Sequence, residues 1–358
     1  MAFKGTKKRK AYHIINRLDS LGGELNAYTT REKICFYASI LDNHLEKAVE
    51  LLADITFNST FPTKEIEKER MVILEEMSMY RDTPEDAIQD EFDEVIFQDH
   101  SLGKNILGTE HTVGRFTQLD FINFLARNFN TERIILSSVG NYSGAKLQKL
   151  AAKYLSHIPK KTHTAQRQLF DGFTPQVKSV IKPITQAHVA IGSKSYGLLD
   201  KDRIPFFVLV NILGGPSMNS KLNMSLREKN GLVYGIEANF TPYYEVGQFG
   251  IYFATDPKNL KKSFRLIQKE LDELKNKPMS SAQLHKAKQQ LKGQLAMSEE
   301  NNNSIMLMMA KTMLDINRVP ILAELFEKID ETSSEKLLEL ARTNFNFEEM
   351  SSLTYLPE

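Results

Sequence analysis

Two carboxylates share one face of a segment whose pattern predicts a helix. Thr63 is a candidate N-cap for a helix that runs to about Tyr80. At about 100° per residue, Glu69 and Glu76 lie two turns apart at the edge of the apolar, inward face, whereas Glu75 points away. A buried carboxylate requires a cation, a hydrogen-bond network or a cavity. Periodicity alone favours the simpler alternative, a glutamate-rich helix with both side chains partly exposed.

The eight histidines of the chain include no pair with the spacing of a zinc peptidase. No two of them form H-x-x-E-H or H-E-x-x-H. His100 and His111 lie in a glycine-containing loop, which is poor geometry for two ligands, and His188 is interpreted as structural. Catalytic zinc needs three protein ligands and an open position for water. Glu76 alone is therefore expected neither to hold zinc nor to activate water.

Composition excludes several classes of function. The net charge of +1 gives no reason to expect nucleic acid or an anionic membrane as a partner. A single cysteine, Cys35, excludes an internal disulfide and is interpreted as a small core residue. No apolar run approaches the ~20 residues of a membrane span, and the basic N-terminus lacks the apolar core of a signal peptide. These features predict a cytoplasmic protein, provided that no upstream residues are missing.

The order of predicted elements repeats in the two halves of the chain. In each half a helix ends at glycine, two strands follow across a turn, and an aspartate opens the next helix. The two sets of strands and helix starts are Glu24–Thr29, Ile34–Leu41 and Asp42, then Leu232–Phe240, Gln248–Ala254 and Asp256. We therefore predict an α+β protein of two homologous α/β rolls, each an antiparallel sheet flanked by helices.

The domain boundary is predicted between Pro159 and Pro175, where apolar periodicity is absent. The prediction is a first domain at 1–160, a linker at 161–176 and a second domain at 177–358. A strand pattern restarts at Val177.

The first residues resemble a segment of the pitrilysin/insulinase family of zinc peptidases, in its bacterial and mitochondrial-processing-peptidase branch. Met1-Ala2-Phe3-Lys4-Gly5-Thr6 is similar to the stretch that directly follows the inverted zinc motif H-x-x-E-H. The resemblance implies that the motif would end one position before Met1, so that the first domain is truncated at its N-terminus. Ile66–Met77 resembles the family helix that supplies the third zinc ligand, which matches Glu76. Glu69 matches a carboxylate that supports the metal site without binding the metal.

Two further segments resemble substrate-binding elements of the family. Asn26-Ala27-Tyr28-Thr29 is similar to the edge strand to which an extended substrate adds. Leu226–Tyr234 resembles the Arg/Tyr element, so that Arg227 is implied to hold a substrate carbonyl and Tyr234 to donate to an oxyanion. The alternatives are an ordinary sheet strand, a surface cation at a helix end and a half-buried aromatic.

The resemblance implies a zinc metalloendopeptidase that acts on unfolded peptides or presequences. Two histidine ligands and the catalytic glutamate are absent, so this chain is expected to be inactive and to bind no zinc by itself. Retention of Glu69, Glu76 and the Asn26–Thr29 strand favours a start assigned at an internal Met codon or a truncated gene. The alternative is a non-catalytic scaffold or partner subunit of a family heterodimer. In both cases the family implies pairing, as a homodimer or a heterodimer.

Overall fold

The computed structural model describes residues 1–162 and 167–358, and it divides into two compact units. Unit 1 comprises Met1–Met79, Ile106–Arg167 and Asn301–Asn317. Unit 2 comprises Tyr80–Asn105, Gln168–Glu300 and Arg318–Glu358. Both units are therefore discontinuous in sequence. The domain limits at 160 and 177 stay predictions, and residues 163–166 of the predicted linker lie outside the described residues.

Helices and strands occur in separate runs along the described part of the chain. The helices are α1 Ala11–Asp19, α2 Leu45–Phe57, α3 Thr63–Arg81, α4 Pro84–Ile96, α5 Glu110–Arg115, α6 Gln118–Asn128, α7 Gly144–Leu155, α8 Arg203–Gly214, α9 Leu260–Asn276, α10 Ser281–Ser298, α11 Asn302–Ile316, α12 Leu322–Glu331 and α13 Ser334–Asn344. The strands are β1 Glu24–Thr29, β2 Ile34–Ser39, β3 Val177–Lys182, β4 Ala187–Tyr196, β5 Val233–Pro242, β6 Val246–Thr255 and β7 Ser351–Pro357. Among the described residues, six consecutive α-helices lie between β2 and β3 and five lie between β6 and β7, which confirms the predicted α+β class. No described helix combines the length and apolarity that crossing a bilayer requires.

Unit 1 is built on a β1–β2 hairpin that packs against α1 and α2. The antiparallel register runs from Glu24 opposite Ser39 to Thr29 opposite Ile34. Side chains of Leu25, Phe36 and Ala38 on the inner face contact a core formed by residues of α1 and α2. Because side chains alternate along a strand, the residues between them lie on the other face of the hairpin.

Unit 2 contains a five-stranded sheet with the order β3-β7-β4-β6-β5. Helix α4 packs on one face, where Phe92 and Ile96 belong to the same hydrophobic cluster as Tyr355, and α8, α9 and α13 cover the other face. The β3–β7 pair is parallel, whereas the sequence predicted an antiparallel sheet. The long chain segment between these two strands permits a crossover that a short hairpin does not.

The predicted repeat of elements is present, with small differences at the helix starts. Strand β1 has the predicted limits. The Asp256 side chain accepts a hydrogen bond from the Lys258 amide and caps the turn before α9, whereas Asp42 makes no capping bond. The α3 helix begins at Thr63 itself, which is therefore not its N-cap; the Pro62 carbonyl accepts the first helical hydrogen bonds.

Candidate functional site

One edge of β1 directs backbone groups that have no strand partner among the described residues away from the hairpin. At the turn, the Thr30 amide donates to the Lys33 carbonyl at 2.8 Å, which marks this pair as hydrogen-bonded. Hydrogen-bonded and non-hydrogen-bonded pairs alternate in antiparallel strands. The backbone groups of Leu25, Ala27 and Thr29 therefore point outward, and within the described residues β1 has no second strand partner.

Side chains of β1 itself form hydrogen bonds along this edge. The Ala27 amide donates to Asn26 Oδ1 at 2.8 Å, which agrees with an amide that points away from β2. The Asn26 side-chain amide in turn donates to Glu24 Oε1 at 3.3 Å. Three of the five residues that the sequence proposed for substrate binding, Asn26, Ala27 and Tyr28, lie on β1, and Asn26 and Tyr28 are exposed.

Tyr28 and Cys35 face each other across the hairpin. Burial, together with the neighbouring Cys35 thiol, raises the pKa of Tyr28 to about 12. Burial also raises the pKa of the Cys35 thiol. A nucleophilic cysteine requires a lowered pKa. Cys35 is therefore not an activated nucleophile, but it is half-buried on the outer face of the hairpin rather than in the core that the sequence predicted.

Glu69 is held by two cations. Lys4 Nζ lies 2.7 Å from one carboxylate oxygen, and the N-terminal ammonium of Met1 lies 3.4 Å from the other. Burial opposes ionisation of the carboxylate, but the hydrogen bonds and charges of Lys4 and the ammonium outweigh it. The pKa of Glu69 is lowered as a result.

Glu76 has a different environment. Its side chain is exposed, and within the described residues it makes no hydrogen bond or ion pair. The predicted common inward face therefore holds for Glu69 and not for Glu76. Apolar residues of α3 are divided between faces: Ile66 and Met77 are buried, whereas Met71 is 64% exposed. The role of Glu76 as a metal ligand stays a prediction.

The donors present around Glu76 do not fit a catalytic zinc site. In residues 1–162 and 167–358, no three histidine, cysteine, aspartate or glutamate side chains come together in a way that could hold a metal. His100 uses Nδ1 to accept from the Leu102 amide, and His188 Nδ1 lies 2.8 Å from the Tyr252 hydroxyl. Both rings thus have structural hydrogen bonds.

Arg227 and Tyr234 contact each other in unit 2. Arg227 lies in a π-helical segment, Asn223–Glu228, and Tyr234 is the second residue of β5. The guanidinium carbon is 5.7 Å from the centre of the tyrosine ring, a cation–π distance. Tyr234 is 91% exposed, so the alternative of a half-buried strand aromatic is wrong. The structure brings together two side chains that the sequence had paired only by resemblance.

An ionic network around Arg9 was not foreseen. Its guanidinium lies 2.6 Å from Asp54 and 2.7 Å from Glu50, both on α2. The Thr6 hydroxyl also donates to Asp54, which is 3% exposed. These bonds fix the loop that carries Lys4 toward Glu69. Their partners are too far apart in sequence for periodicity to reveal them.

Comparison with known proteins relates both halves of the chain to one family. The family model described as "Insulinase (Peptidase family M16)" matches residues 1–110, and "Peptidase M16 inactive domain" matches residues 115–291. The uncharacterized zinc protease YmxG of Bacillus subtilis (strain 168) is 33% identical over 345 residues, which cover 96% of this chain and 84% of that protein. The chain belongs to the insulinase family, peptidase family M16.

One more relative and two solved structures are similar over nearly the whole chain. An uncharacterized zinc protease of Mycobacterium leprae (strain TN) is 29% identical over 97% of this chain and 78% of its own length. The crystal structure of a protease from Helicobacter pylori has a TM-score of 0.88 at 20% identity, with 99% of this chain and 87% of that one covered. A peptidase M16 inactive domain from Pseudomonas fluorescens has a TM-score of 0.87 at 19% identity and covers 100% and 87%. These two structures support the fold alone.

The two M16 matches divide the candidate residues. The β1 residues, Glu69 and Glu76 lie in the part that matches the insulinase model. Arg227 and Tyr234 lie in the part that matches the inactive domain. The residues predicted to bind metal or to pair with a substrate strand therefore all lie in the first part. The residues predicted to make additional substrate contacts lie in the second part.

Proposed function

We propose that this M16 chain binds extended, unfolded peptides, and that unit 1 takes the peptide as an added strand along β1. The activity implied for a complete family member is zinc-dependent cleavage of unfolded peptides or presequences. This polypeptide lacks the histidine pair and the catalytic glutamate of that reaction, so it is expected to bind peptide without cutting it.

The outward backbone of Leu25, Ala27 and Thr29 is the observation that carries the proposal. An extended peptide pairs with such an edge through main-chain hydrogen bonds. These bonds require no particular side chain, and an unfolded polypeptide offers them at every second residue. The binding mode therefore suits substrates that share an extended conformation rather than a sequence.

Arg227 and Tyr234 are proposed as additional substrate contacts. A guanidinium donates to a peptide carbonyl, and an exposed phenol both donates and stacks. The Tyr234 hydroxyl has no hydrogen-bond partner within the described residues, so it is available to a ligand. Their mutual contact at 5.7 Å orients the two groups before a peptide arrives.

No hydrolytic step is assigned to this chain. In family members described as zinc proteases, a catalytic zinc would supply the activated water. Here Glu76 offers one carboxylate, and the second and third protein ligands are not among the described residues. What the chain's own residues do is present a strand edge and hold Glu69 ionised beside Lys4.

The first prediction tests the β1 edge with Ala27→Pro. Proline removes the outward amide of residue 27 and leaves the β1–β2 ladder bonds, which involve its neighbours. Loss of the Ala27 amide costs little by itself, because Asn26 Oδ1 already accepts from it. The proline ring, however, blocks the close approach of a peptide strand, so the dissociation constant of a fluorescein-labelled, unstructured Ala/Ser/Arg peptide should rise about tenfold, measured by fluorescence anisotropy. Ala27→Ser keeps the amide and is the matched control. Equal affinity of the proline variant and the wild type, with unchanged circular dichroism, would refute strand addition at β1.

A second candidate function is a non-catalytic partner subunit that pairs with another M16 chain. The solvent-facing, unpartnered carboxylate of Glu76 favours it, because this residue makes no metal-site contacts here. Translation of the DNA upstream of Met1 in the same frame separates the candidates. An H-x-x-E-H that ends at the preceding codon supports the peptidase, and a stop codon without the motif supports the partner subunit.

A further inference from the structure

The turn between β1 and β2 is joined to α11 by a buried ion pair. Lys33 Nζ lies 2.8 Å from Asp315 Oδ1, and the two side chains are 14% and 6% exposed. The turn itself is closed locally, because the Lys33 amide donates to Thr30 Oγ1 at 3.0 Å. The neighbouring Glu32, with a side chain 9% exposed, accepts from Arg167 at 2.7 Å.

Asp315 occupies a position that disfavours a carboxylate. It lies in the last turn of α11, where the helix end carries partial negative charge. It is also only 8% exposed, where a charge without a partner is costly. Among the described residues, Lys33 is the cation that compensates both effects. The pair is thus specific rather than an incidental surface contact.

Apolar packing is weak at the turn end of the hairpin. Ile34 is 53% exposed and Tyr28 is 38% exposed, whereas Leu25 and Ala38, toward the other end, pack on the core. Two-stranded hairpins are marginally stable without further support. Phe36, opposite Ala27, still packs on the core, so the ion pair is the restraint that acts beyond it, at the turn end of the hairpin.

We propose that Asp315 is a positioning residue for peptide binding: through Lys33 it holds the β1–β2 hairpin so that the outward groups of β1 are presented in one conformation. The inference rests on the proposed function of β1. It adds that α11, remote in sequence from the hairpin, sets the affinity of the peptide edge without touching the peptide. A preformed edge loses less conformational entropy on binding than a mobile one.

The experiment compares Asp315→Asn with the wild type in two measurements. Hydrogen exchange of the amides in residues 24–39 should accelerate about tenfold, because Lys33 loses its nearer counter-charge and its link to α11, while Glu32 on the same turn stays 3.6 Å from Lys33 Nζ. The dissociation constant of the fluorescein-labelled Ala/Ser/Arg peptide should rise about fivefold. The double variant Lys33→Met with Asp315→Asn removes both charges; because the two residues act as a pair, it should change both quantities no more than Asp315→Asn alone.

Two controls separate positioning from general destabilisation. Glu46→Gln removes an equally short but exposed ion pair with Lys153, 2.7 Å long with side chains 50% and 60% exposed, and should change neither measurement. Ile55→Val weakens the core of unit 1 and should lower the melting temperature without raising the peptide dissociation constant.

The outcomes are distinct. Unchanged exchange in residues 24–39 of Asp315→Asn, or additive effects of Lys33→Met and Asp315→Asn in the double variant, overturns the positioning role. A wild type that binds no peptide refutes the proposed function, and the exchange data then decide whether Asp315 restrains the hairpin. If Ile55→Val weakens peptide binding as much as Asp315→Asn at equal stability, the effect is general stability and the inference is wrong.

Discussion

Glu69 and Glu76 show how far a helical pattern predicts the environment of a side chain. The sequence placed both carboxylates on one face of α3, and the helix is present with that spacing. It did not reveal that Lys4 and the Met1 ammonium neutralise Glu69, because these cations come from a loop fixed by Arg9. Helical periodicity predicts which way a side chain points from its own helix. It does not predict which charged groups from other segments will lie beside that side chain.

The second prediction concerns Glu69→Gln. At pH 7 this change should lower the free energy of unfolding by about 1 kcal/mol, because Lys4 loses its carboxylate partner. The pKa of Glu69 is lowered from 4.5 in the folded state. Its contribution is therefore fully present above pH 4.5 and is lost as the pH falls through the folded-state pKa.

Urea unfolding at pH 7 and at about pH 3 measures this dependence. The difference between wild type and Glu69→Gln should shrink at the lower pH. Glu76→Gln is the matched control and should change stability by less than about 0.5 kcal/mol, because Glu76 is exposed and without a partner among the described residues. A larger loss in Glu76→Gln than in Glu69→Gln would contradict the assigned environments.

At the scale of elements, local signals were sufficient for the hairpins. Glycine before β1, alternation within it and a polar turn after it predicted Glu24–Thr29 to the residue. The parallel β3–β7 pair was not predicted, because its strands are joined only through most of unit 2. The Lys33–Asp315 ion pair was not predicted either, because its two residues are far apart in sequence.

Residues 134–139 of unit 1, which form no strand, follow a sequence similar to the one before β7 of unit 2. Leu125-Ala126-Arg127-Asn128-Phe129-Asn130 precedes them, and the similar Leu340-Ala341-Arg342-Thr343-Asn344-Phe345-Asn346 precedes β7. Within the described residues, Ile134–Val139 makes no backbone hydrogen bonds to a strand, whereas β7 pairs on both sides. The repeat therefore extends beyond the two hairpins, and its copies differ in strand pairing.

The third prediction compares two glycines in unit 2. A Cβ at Gly192 in β4 would lie 1.9 Å from the Phe249 carbonyl oxygen, which separates β4 from β6. Gly192→Ala should lower the free energy of unfolding by about 3 kcal/mol. Gly293→Ala in α10 meets nothing within 4 Å and should raise it by up to about 1 kcal/mol. Thermal unfolding measures both, and a stable Gly192→Ala would contradict the close strand approach.

At the scale of the whole molecule, the units are assembled from segments that alternate along the chain. Residues 80–105 belong to unit 2, and 301–317 belong to unit 1. Composition located a candidate linker near Pro159. Composition does not indicate with which of the two units a later helix packs. The unit to which a segment belongs depends on the packing of buried surfaces between residues distant in sequence. A short stretch of sequence does not contain that information.

The fourth prediction concerns zinc. The 358-residue polypeptide, purified and dialysed against zinc, should retain well below one zinc per chain by elemental analysis, because Glu76 alone cannot supply three ligands. It should also show no chelator-sensitive cleavage of an unfolded casein substrate. The related zinc protease YmxG of Bacillus subtilis is the parallel control. One tightly held zinc that is lost in Glu76→Gln would refute this prediction.

The Asn26 carboxamide that caps the Ala27 amide carries a cost for any incoming strand. A peptide carbonyl can accept from the Ala27 amide only if it displaces Asn26 Oδ1. The number of hydrogen bonds at that amide is therefore the same before and after the peptide binds. Exchange of one acceptor for another contributes little net free energy. Discrimination among peptides must then come from the peptide side chains and from hydrogen bonds to the outward carbonyls of β1. Truncating Asn26 would leave the Ala27 amide free, so that the protein would bind a wider range of peptides.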